Sequence, residues 1–134
     1  EISDDDLLML VGEDRKALHR IKLAYLQVTS GVGVRSVASV ALTIAGETFE
    51  AASSGNGPVD AAIKAVKSII RRKMTIREFL IQAIDKGSDD MGKVHMQVEH
   101  EGNNYYGFAA NTDIIAASVE AFVDAINKFE GAKG

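Results

Sequence analysis

The sequence contains no cysteine, no tryptophan and only one proline among its 134 residues. Without cysteine, the chain can form neither disulfide bonds nor thiolate metal sites, which suits a reducing compartment such as the cytoplasm. No apolar run approaches the roughly 20 residues that a membrane-spanning helix needs. The acidic start, Glu1 to Asp6, is unlike a signal peptide. We therefore expect a protein that folds on its own hydrophobic core and has no membrane partner.

Positive charge is also scarce, with 15 Lys and Arg against 19 Asp and Glu and a net charge of −4. A nucleic-acid-binding domain usually carries a basic surface, so we expect no nucleic-acid partner. The basic run Arg71–Lys73 follows a predicted helix, where cations complement the helix dipole. At this length the chain is expected to form one domain, which buries enough surface to be stable without disulfide bonds.

Glycines at predicted turns and apolar residues of predicted strands and helices recur after 56 positions in the sequence. Matched pairs at this spacing are Gly31 and Gly87, Gly46 and Gly102, Val28 and Ile84, Ala61 and Ala117, and Ile70 and Ile126. Turn glycines, strand faces and helix faces thus recur in one order, which predicts a duplicated unit covering 23–78 and 79–134. Two such copies can pack about a pseudo-twofold axis and leave a seam between them where a ligand can bind.

Each copy has the pattern of a strand, a hairpin and a helix. In the first copy we predict strands at 23–30, 38–44 and 47–52, with a tight turn at Ala45-Gly46 and a loop at 53–57. In the second we predict strands at 79–84, 93–100 and 105–109, with a loop at 85–92 and a turn at Gly102. Each helix is expected to cover an apolar sheet face, giving an α+β fold of duplicated βββα units. Residues 1–22 lie outside the repeat and predict a short helical connector capped by Ser3.

The two predicted helix starts differ in capping. Asp113 can cap its own helix, whereas the first helix begins at Gly57-Pro58 with no side-chain acceptor. The amides of Val59 and Asp60 are then free to bind a carboxylate, and Asp60 is a candidate partner for an ammonium group. Hydration of the helix start, or a local cap by Asn56, would explain the same sequence. Asp60 also has a plain structural explanation as a first-turn acid favoured by the dipole.

Other motifs do not support catalysis or metal binding. Gly31-Val32-Gly33 lacks the third glycine and the parallel unit of a dinucleotide site. His95 and Glu99 lie too far apart along one strand to share a metal, and we expect the histidines to be on the surface. We expect no catalytic residue, no metal site and no cofactor in this chain.

Three segments resemble the C-terminal regulatory domain of the 2-isopropylmalate synthases and their citramalate synthase relatives. They are LQVTSGVGVR at 26–35, GNGPVDA at 55–61 and NTDIIAAS at 111–118. The acidic segment 3–11 is similar to the helical connector that precedes this domain. The resemblance implies a domain that forms a homodimer and binds a branched-chain amino acid as feedback inhibitor. It also implies that the catalytic barrel, an acyltransferase acting on acetyl-CoA and a 2-oxo acid, belongs to a parent protein and is absent here.

The same resemblance suggests where the inhibitor binds. It implies a site at the dimer interface, formed by the helix start and the strand that follows the first helix. The positions carried over are Gly57, Pro58, Val59, Asp60, Ile76, Phe79, Ile81 and Ala83. Leucine and isoleucine remain open, because one methylene group changes binding by only about 1–3 kcal/mol. A dimerisation module without a ligand, and a small enzyme in its own right, are the competing interpretations.

Overall fold

The computed structural model describes residues 20–83 and 91–133. It contains two three-stranded antiparallel sheets, and each chain segment that forms a sheet is followed by one helix. The elements of the first unit are β1 (Ile21–Gly31), β2 (Val34–Ile44), β3 (Glu47–Gly55) and α1 (Pro58–Ile70). Those of the second are β4 (Thr75–Ala83), β5 (Gly92–His100), β6 (Asn103–Asn111) and α2 (Ile114–Lys133). This architecture confirms the predicted α+β fold of duplicated βββα units.

Several predicted boundaries shift. Ser53, Ser54 and Gly55 were expected in a loop but belong to β3, because they pair with the start of β2. β4 begins at Thr75, so the linker residue Ile76 is part of a strand. β1 begins at Ile21, inside the expected connector, and the rest of that connector up to residue 19 lies outside the described residues. Gly92, which was expected in the loop at 85–92, belongs to β5. Residues 85–90 of that loop lie outside the described residues.

The two hairpin turns have the same backbone geometry. Ala45 and Gly46 have φ values of 53° and 84°, and Glu101 and Gly102 have 52° and 82°. Two consecutive residues with positive φ form the type I′ turn, whose twist matches that of antiparallel strands. Glycine occupies the second position in both turns, where it adopts this conformation without a steric penalty. Both predicted turns are confirmed.

The repeat spacing differs between the first strand and the rest of each unit. Ala38 and Val94 are 56 positions apart, and their partners in the neighbouring strands are Val28 and Ile81, which are 53 apart. The expected match of Val28 with Ile84 is therefore wrong. The segment between the first two strands covers 84–91 in the second unit and only 32–33 in the first, so one spacing does not fit the whole copy.

The core lies between each sheet and its own helix. Inward-facing residues of β2 (Val40 and Leu42) and of β5 (Val94 and Val98) are completely buried. On α2, Val119, Phe122, Ile126 and Phe129 are buried. A Cβ at Gly107 of β6 would lie 1.9 Å from the carbonyl oxygen of Ala121, so glycine permits the close approach of α2.

His100 was expected on the surface but is only 4% exposed. It continues the alternation of Val94, Met96 and Val98 along β5, so its ring points into the core. The ring stacks on Phe129 at a centroid distance of 4.2 Å, and its Nδ1 lies 2.9 Å from the carbonyl oxygen of Lys73. The histidine thus fixes the linker between α1 and β4 to the second unit.

The two helices pack on different sets of strands. α1 packs mainly on β2 and β3, whereas α2 packs on β5 and β6 and also against β1 of the other unit. β4, the counterpart of β1, makes its main contacts with β5 alone. In the part of the chain that the structure describes, neither helix therefore has its main contacts with β4. No helix among residues 20–83 and 91–133 is long and apolar enough to cross a membrane.

Candidate functional site

The start of α1 has no side-chain cap. Its N-cap is Gly57, which is extended with φ −173° and ψ 173° and has no side-chain hydrogen bond to the helix. The first helical bond runs from the amide of Ala61 to the carbonyl of Gly57, at 2.9 Å. Pro58 has no N–H, and within the described residues the amides of Val59 and Asp60 have no hydrogen-bond partner. The expected absence of a cap is confirmed, and the alternative of an Asn56 cap is not found.

The start of α2 is capped as expected. One carboxylate oxygen of Asp113 accepts hydrogen bonds from the amides of Ile115 and Ala116, at 2.9 and 3.4 Å. The amide of Asp113 in turn donates to the side chain of Asn111, at 2.9 Å. These bonds satisfy the donors that α1 leaves free. The two units thus share a fold but differ at the N-terminus of their helices. The amides there can bind an anion in α1, whereas Asp113 occupies them in α2.

The carboxylate of Asp60 faces back along the chain. It accepts a hydrogen bond from the amide of Asn56 at 2.9 Å and lies 3.4 Å from Nζ of Lys64. The Asn56 bond, followed by Lys64, lowers the pKa of Asp60 below its usual value of 3.8. Asp60 is therefore ionised at neutral pH, with part of its hydrogen-bonding capacity already used within the chain.

Gly55 has a role in this corner that we did not predict. A Cβ at this position would lie 2.5 Å from Oδ2 of Asp60 and 2.6 Å from the backbone nitrogen of Ala61. Only glycine lets the end of β3 come this close to the first turn of α1. The Gly55-x-Gly57 pattern before the only proline is the sequence signal for this packing.

Three of the residues predicted on the strand after α1 share one face of β4. Ile76, Phe79 and Ile81 pair with Val98, Met96 and Val94, which all point into the core. A bulge between Ile76 and Glu78 keeps Ile76 and Phe79 on the same side despite their odd spacing. Ala83 ends the strand opposite Gly92. Because α2 makes its main contacts with other strands, Phe79 is 38% and Ile81 50% exposed. We call Ile76, Phe79 and Ile81 the β4 shelf.

The helix start and the β4 shelf are separate surfaces within one chain. A cavity of about 350 Å³ does open beside Pro58. It is lined by Leu26, Val28, Ser30, Pro58, Asp113 and Ile115. These residues come from β1 and from the starts of both helices, and no β4 residue is among them. Sequence reasoning missed this cavity because it joins β1 to the starts of both helices, which are far apart in the sequence.

The basic residues after α1 have structural partners. Nε of Arg72 donates to Glu130 at 2.7 Å, and Nε of Arg77 donates to Glu99 at 2.6 Å. Arg71 ends α1 in the left-handed conformation, with its amide bonded to the carbonyl of Lys67. In the part of the chain that the structure describes, no three acidic or histidine side chains are grouped for metal binding.

The sequence of the chain matches a known protein family and several known proteins. A family model described as the LeuA allosteric (dimerisation) domain matches residues 1–130. The chain is 73% identical over 130 residues to the 2-isopropylmalate synthase of Parabacteroides distasonis, covering 96% of this chain and 26% of that protein. It is 41% identical over 134 residues to the 2-isopropylmalate synthase of Heliobacterium modesticaldum, covering 98% of this chain and 26% of that protein. The chain thus spans about a quarter of the length of these relatives.

Proposed function

Because the chain belongs to the LeuA allosteric (dimerisation) domain family, we propose that it is the regulatory domain of a 2-isopropylmalate synthase. In this role it binds leucine as a feedback inhibitor at a homodimer interface. The catalytic part, which joins acetyl-CoA to a 2-oxo acid, lies in the rest of the parent protein. The observation that carries the ligand proposal is the missing cap of α1, set against the complete cap of α2 in the same fold.

The free end of α1 suits the carboxylate of an amino acid. Two amides, those of Val59 and Asp60, point out of the helix at its positive end without partners in the described residues. Binding of an anion in such a place is worth about 1–2 kcal/mol when it is partly buried. We assign Asp60, in the first turn of α1, as the anionic partner of the ammonium, and its low pKa keeps it charged. Its bond to Asn56 already holds the carboxylate in position.

The β4 shelf suits the aliphatic side chain of the ligand. Phe79 and Ile81 belong to the core face of their sheet yet remain partly in water, and within the described residues neither helix has its main contacts with β4. Fully burying a side chain of this size contributes about 1.5–3 kcal/mol, so covering the shelf is favourable. Contact with the β4 shelf would therefore stabilise the binding of a branched aliphatic group and also the association of a second subunit.

The contact of α2 with β1 suggests how two subunits complete the site. Within the chain, the start of α2 (Asp113 and Ile115) forms one wall of the cavity beside Leu26 and Val28. The equivalent positions in the other unit are Gly57 and Val59 at the start of α1, and Phe79 and Ile81 on β4. We infer that α1 of the partner subunit covers the β4 shelf, as α2 covers β1. Each site then combines the helix start of one subunit with the shelf of the other.

Leucine is the preferred ligand because both relatives named above are 2-isopropylmalate synthases. Isoleucine, as in a citramalate synthase, and a dimer without any ligand remain the alternatives. Thermal unfolding of the chain with leucine, isoleucine or valine separates them. A ligand at 100 times its Kd stabilises the folded state by about 2.7 kcal/mol, which raises the Tm of a domain this size by on the order of 10 °C. We expect this rise with leucine; no rise with any of the three at millimolar concentration refutes ligand binding.

A further inference from the structure

The outer face of the second sheet, on the side away from α2, carries a row of three large side chains, a leucine, a histidine and a phenylalanine, across its three strands. Leu80 of β4 pairs with His95 of β5, which pairs with Phe108 of β6. Leu80 is 55% and Phe108 46% exposed, and the rings of His95 and Phe108 lie 4.9 Å apart. Tyr106, two residues along β6, is 57% exposed. We call Leu80, His95 and Phe108 the outer row.

The first unit shows that the fold does not require this row. The equivalent residues on the outer face of the first sheet are Gln27, Ser39 and Ala52, which pair across the strands in the same register. Three small or polar side chains thus occupy the positions of a leucine, a histidine and a phenylalanine. Since both sheets have the same topology, the outer row in the second unit points to a function beyond folding.

The backbone beneath the outer row is fixed by α2. The amide of Phe108 donates to Oδ2 of Asp124 at 3.0 Å. Nζ of Lys128, one turn further along α2, donates to the carbonyl of Tyr106. These bonds occupy edge groups of β6 that would otherwise pair with another strand, so they oppose addition of a strand here. The exposed rings are therefore presented on a rigid support, which favours side-chain docking of a preformed surface.

The position where the polypeptide enters the domain suggests the partner. Ile21 and Lys22, at the start of β1, line a cavity of about 280 Å³ together with Phe108. The first residues of β1 therefore lie beside Phe108, at the β6 end of the outer row. The relatives are much longer than this chain, which covers 26% of the most similar one described above. In the parent synthase proposed above, the other parts of the polypeptide would be tethered close to Phe108, at a high effective concentration.

We propose that the outer row docks on an apolar surface of the catalytic part of the parent synthase. This inference rests on the proposed regulatory function and adds the surface through which it acts. The β4 shelf and the outer row lie on opposite faces of the second sheet, and they meet on β4, where Phe79 and Leu80 are consecutive residues. A ligand that repositions β4 from one face changes the docking on the other. The ligand shifts catalysis only as far as its affinity differs between the docked and released states.

Photo-crosslinking identifies the partner without depending on leucine. A photoreactive phenylalanine analogue replaces Phe108 in the full-length synthase, and crosslinked peptides are identified by mass spectrometry. We expect crosslinks to peptides of the catalytic part. Crosslinks to this domain of another subunit, or no crosslinks, overturn the proposal. The same analogue in place of Tyr25, which is 43% exposed on the outer face of the first sheet, is the matched control.

Exchange of residues between the units tests the regulatory role. Leu80→Gln, His95→Ser and Phe108→Ala together give the second sheet the residues that the first one carries. In the full-length enzyme we expect unchanged leucine affinity within about twofold, measured by calorimetry, but at least tenfold weaker inhibition of turnover. Tyr25→Glu, which introduces the residue found at the equivalent position 78, should retain inhibition. Inhibition that persists in the triple variant overturns the proposal. Failure of the wild type to bind leucine refutes the ligand proposal instead, and the crosslinking result still decides the docking.

Discussion

The side-chain amide of Asn127 pairs with the backbone of Ile21 as a neighbouring strand would. The amide of Ile21 donates to Oδ1 of Asn127 at 2.7 Å, and Nδ2 of Asn127 donates to the carbonyl of Ile21 at 2.9 Å. Ile21 is 3% exposed, so these backbone groups lie at the border of the core. A single residue of α2 thereby joins the second unit to the first strand of the first unit.

Loss of this pair should weaken the whole domain. Asn127→Ala leaves both backbone groups of Ile21 without a partner, which we expect to lower the free energy of unfolding by roughly 2–4 kcal/mol. Urea denaturation followed by circular dichroism measures the change. Asn104→Ala, at an exposed position of β6, is the control and should stay within about 0.5 kcal/mol of wild type. Equal effects of the two substitutions would show that the Asn127 contact carries no special stability.

The two glycines before α1 should respond differently to alanine. Gly55→Ala places its Cβ within 2.9 Å of three atoms of Asp60 and Ala61, two of them backbone, so β3 must separate from α1. We expect a loss of at least about 3 kcal/mol in the free energy of unfolding. Gly57→Ala meets nothing within 4 Å and has an extended φ of −173°, so we expect a loss of at most about 1 kcal/mol. Urea unfolding of both variants checks this order, and a reversed order would contradict the packing at Gly55.

A cap added to α1 should affect stability and leucine binding in opposite directions. Gly57→Asp gives α1 the acceptor that Asp113 gives α2, which we expect to stabilise the fold by a few tenths of a kcal/mol. The new carboxylate occupies the amides of Val59 and Asp60 and repels an incoming carboxylate. Leucine affinity should then fall about 5- to 30-fold, matching the loss of ~1–2 kcal/mol. Calorimetry gives the affinity and thermal unfolding gives the stability.

The control for this prediction lies at the other helix. Asp113→Gly removes the bonds to the amides of Ile115 and Ala116, so stability should fall slightly. Because we place the ligand at the start of α1, leucine affinity should not change. A larger loss of leucine binding in Asp113→Gly than in Gly57→Asp would move the site to the start of α2.

Asp60 should make the domain slightly sensitive to acid. Its pKa is lower in the folded protein than its ordinary value of 3.8, chiefly because the Asn56 amide stabilises the charged form. Its contribution is therefore complete above about pH 4 to 5 and is lost as the pH falls through the lowered pKa. Asp60→Asn should remove this part of the pH dependence, whereas Lys64→Met should retain most of it, because the Asn56 bond is the largest cause. Urea midpoints between pH 2 and 6 for both variants test this.

Local signals in the sequence were enough to predict the elements of each unit. Turn glycines at 46 and 102, the cap at Asp113 and the uncapped start at Gly57 depend on nearby residues alone, and the structure confirms them. The burial of His100 follows the alternation along β5, which here outweighs the usual preference of histidine for the surface. The contact of Asn127 with Ile21 joins residues 106 positions apart, and no local pattern indicates it. The separation of the helix start from β4 likewise depends on which helix covers which strand.

Adjacent residues of β4 should separate the two proposed surfaces. Phe79→Ser removes the centre of the β4 shelf, so we expect weaker self-association and at least tenfold weaker leucine binding. Leu80→Ser changes the opposite face, so dimerisation and leucine affinity should remain as in wild type, while inhibition of the full-length enzyme weakens. Both side chains are partly exposed, at 38% and 55%, so neither change should unfold the sheet. Analytical ultracentrifugation and calorimetry measure the two properties. If Leu80→Ser dissociates the dimer, the outer row is a subunit interface, because a strand that alternates faces cannot present Phe79 and Leu80 to one surface.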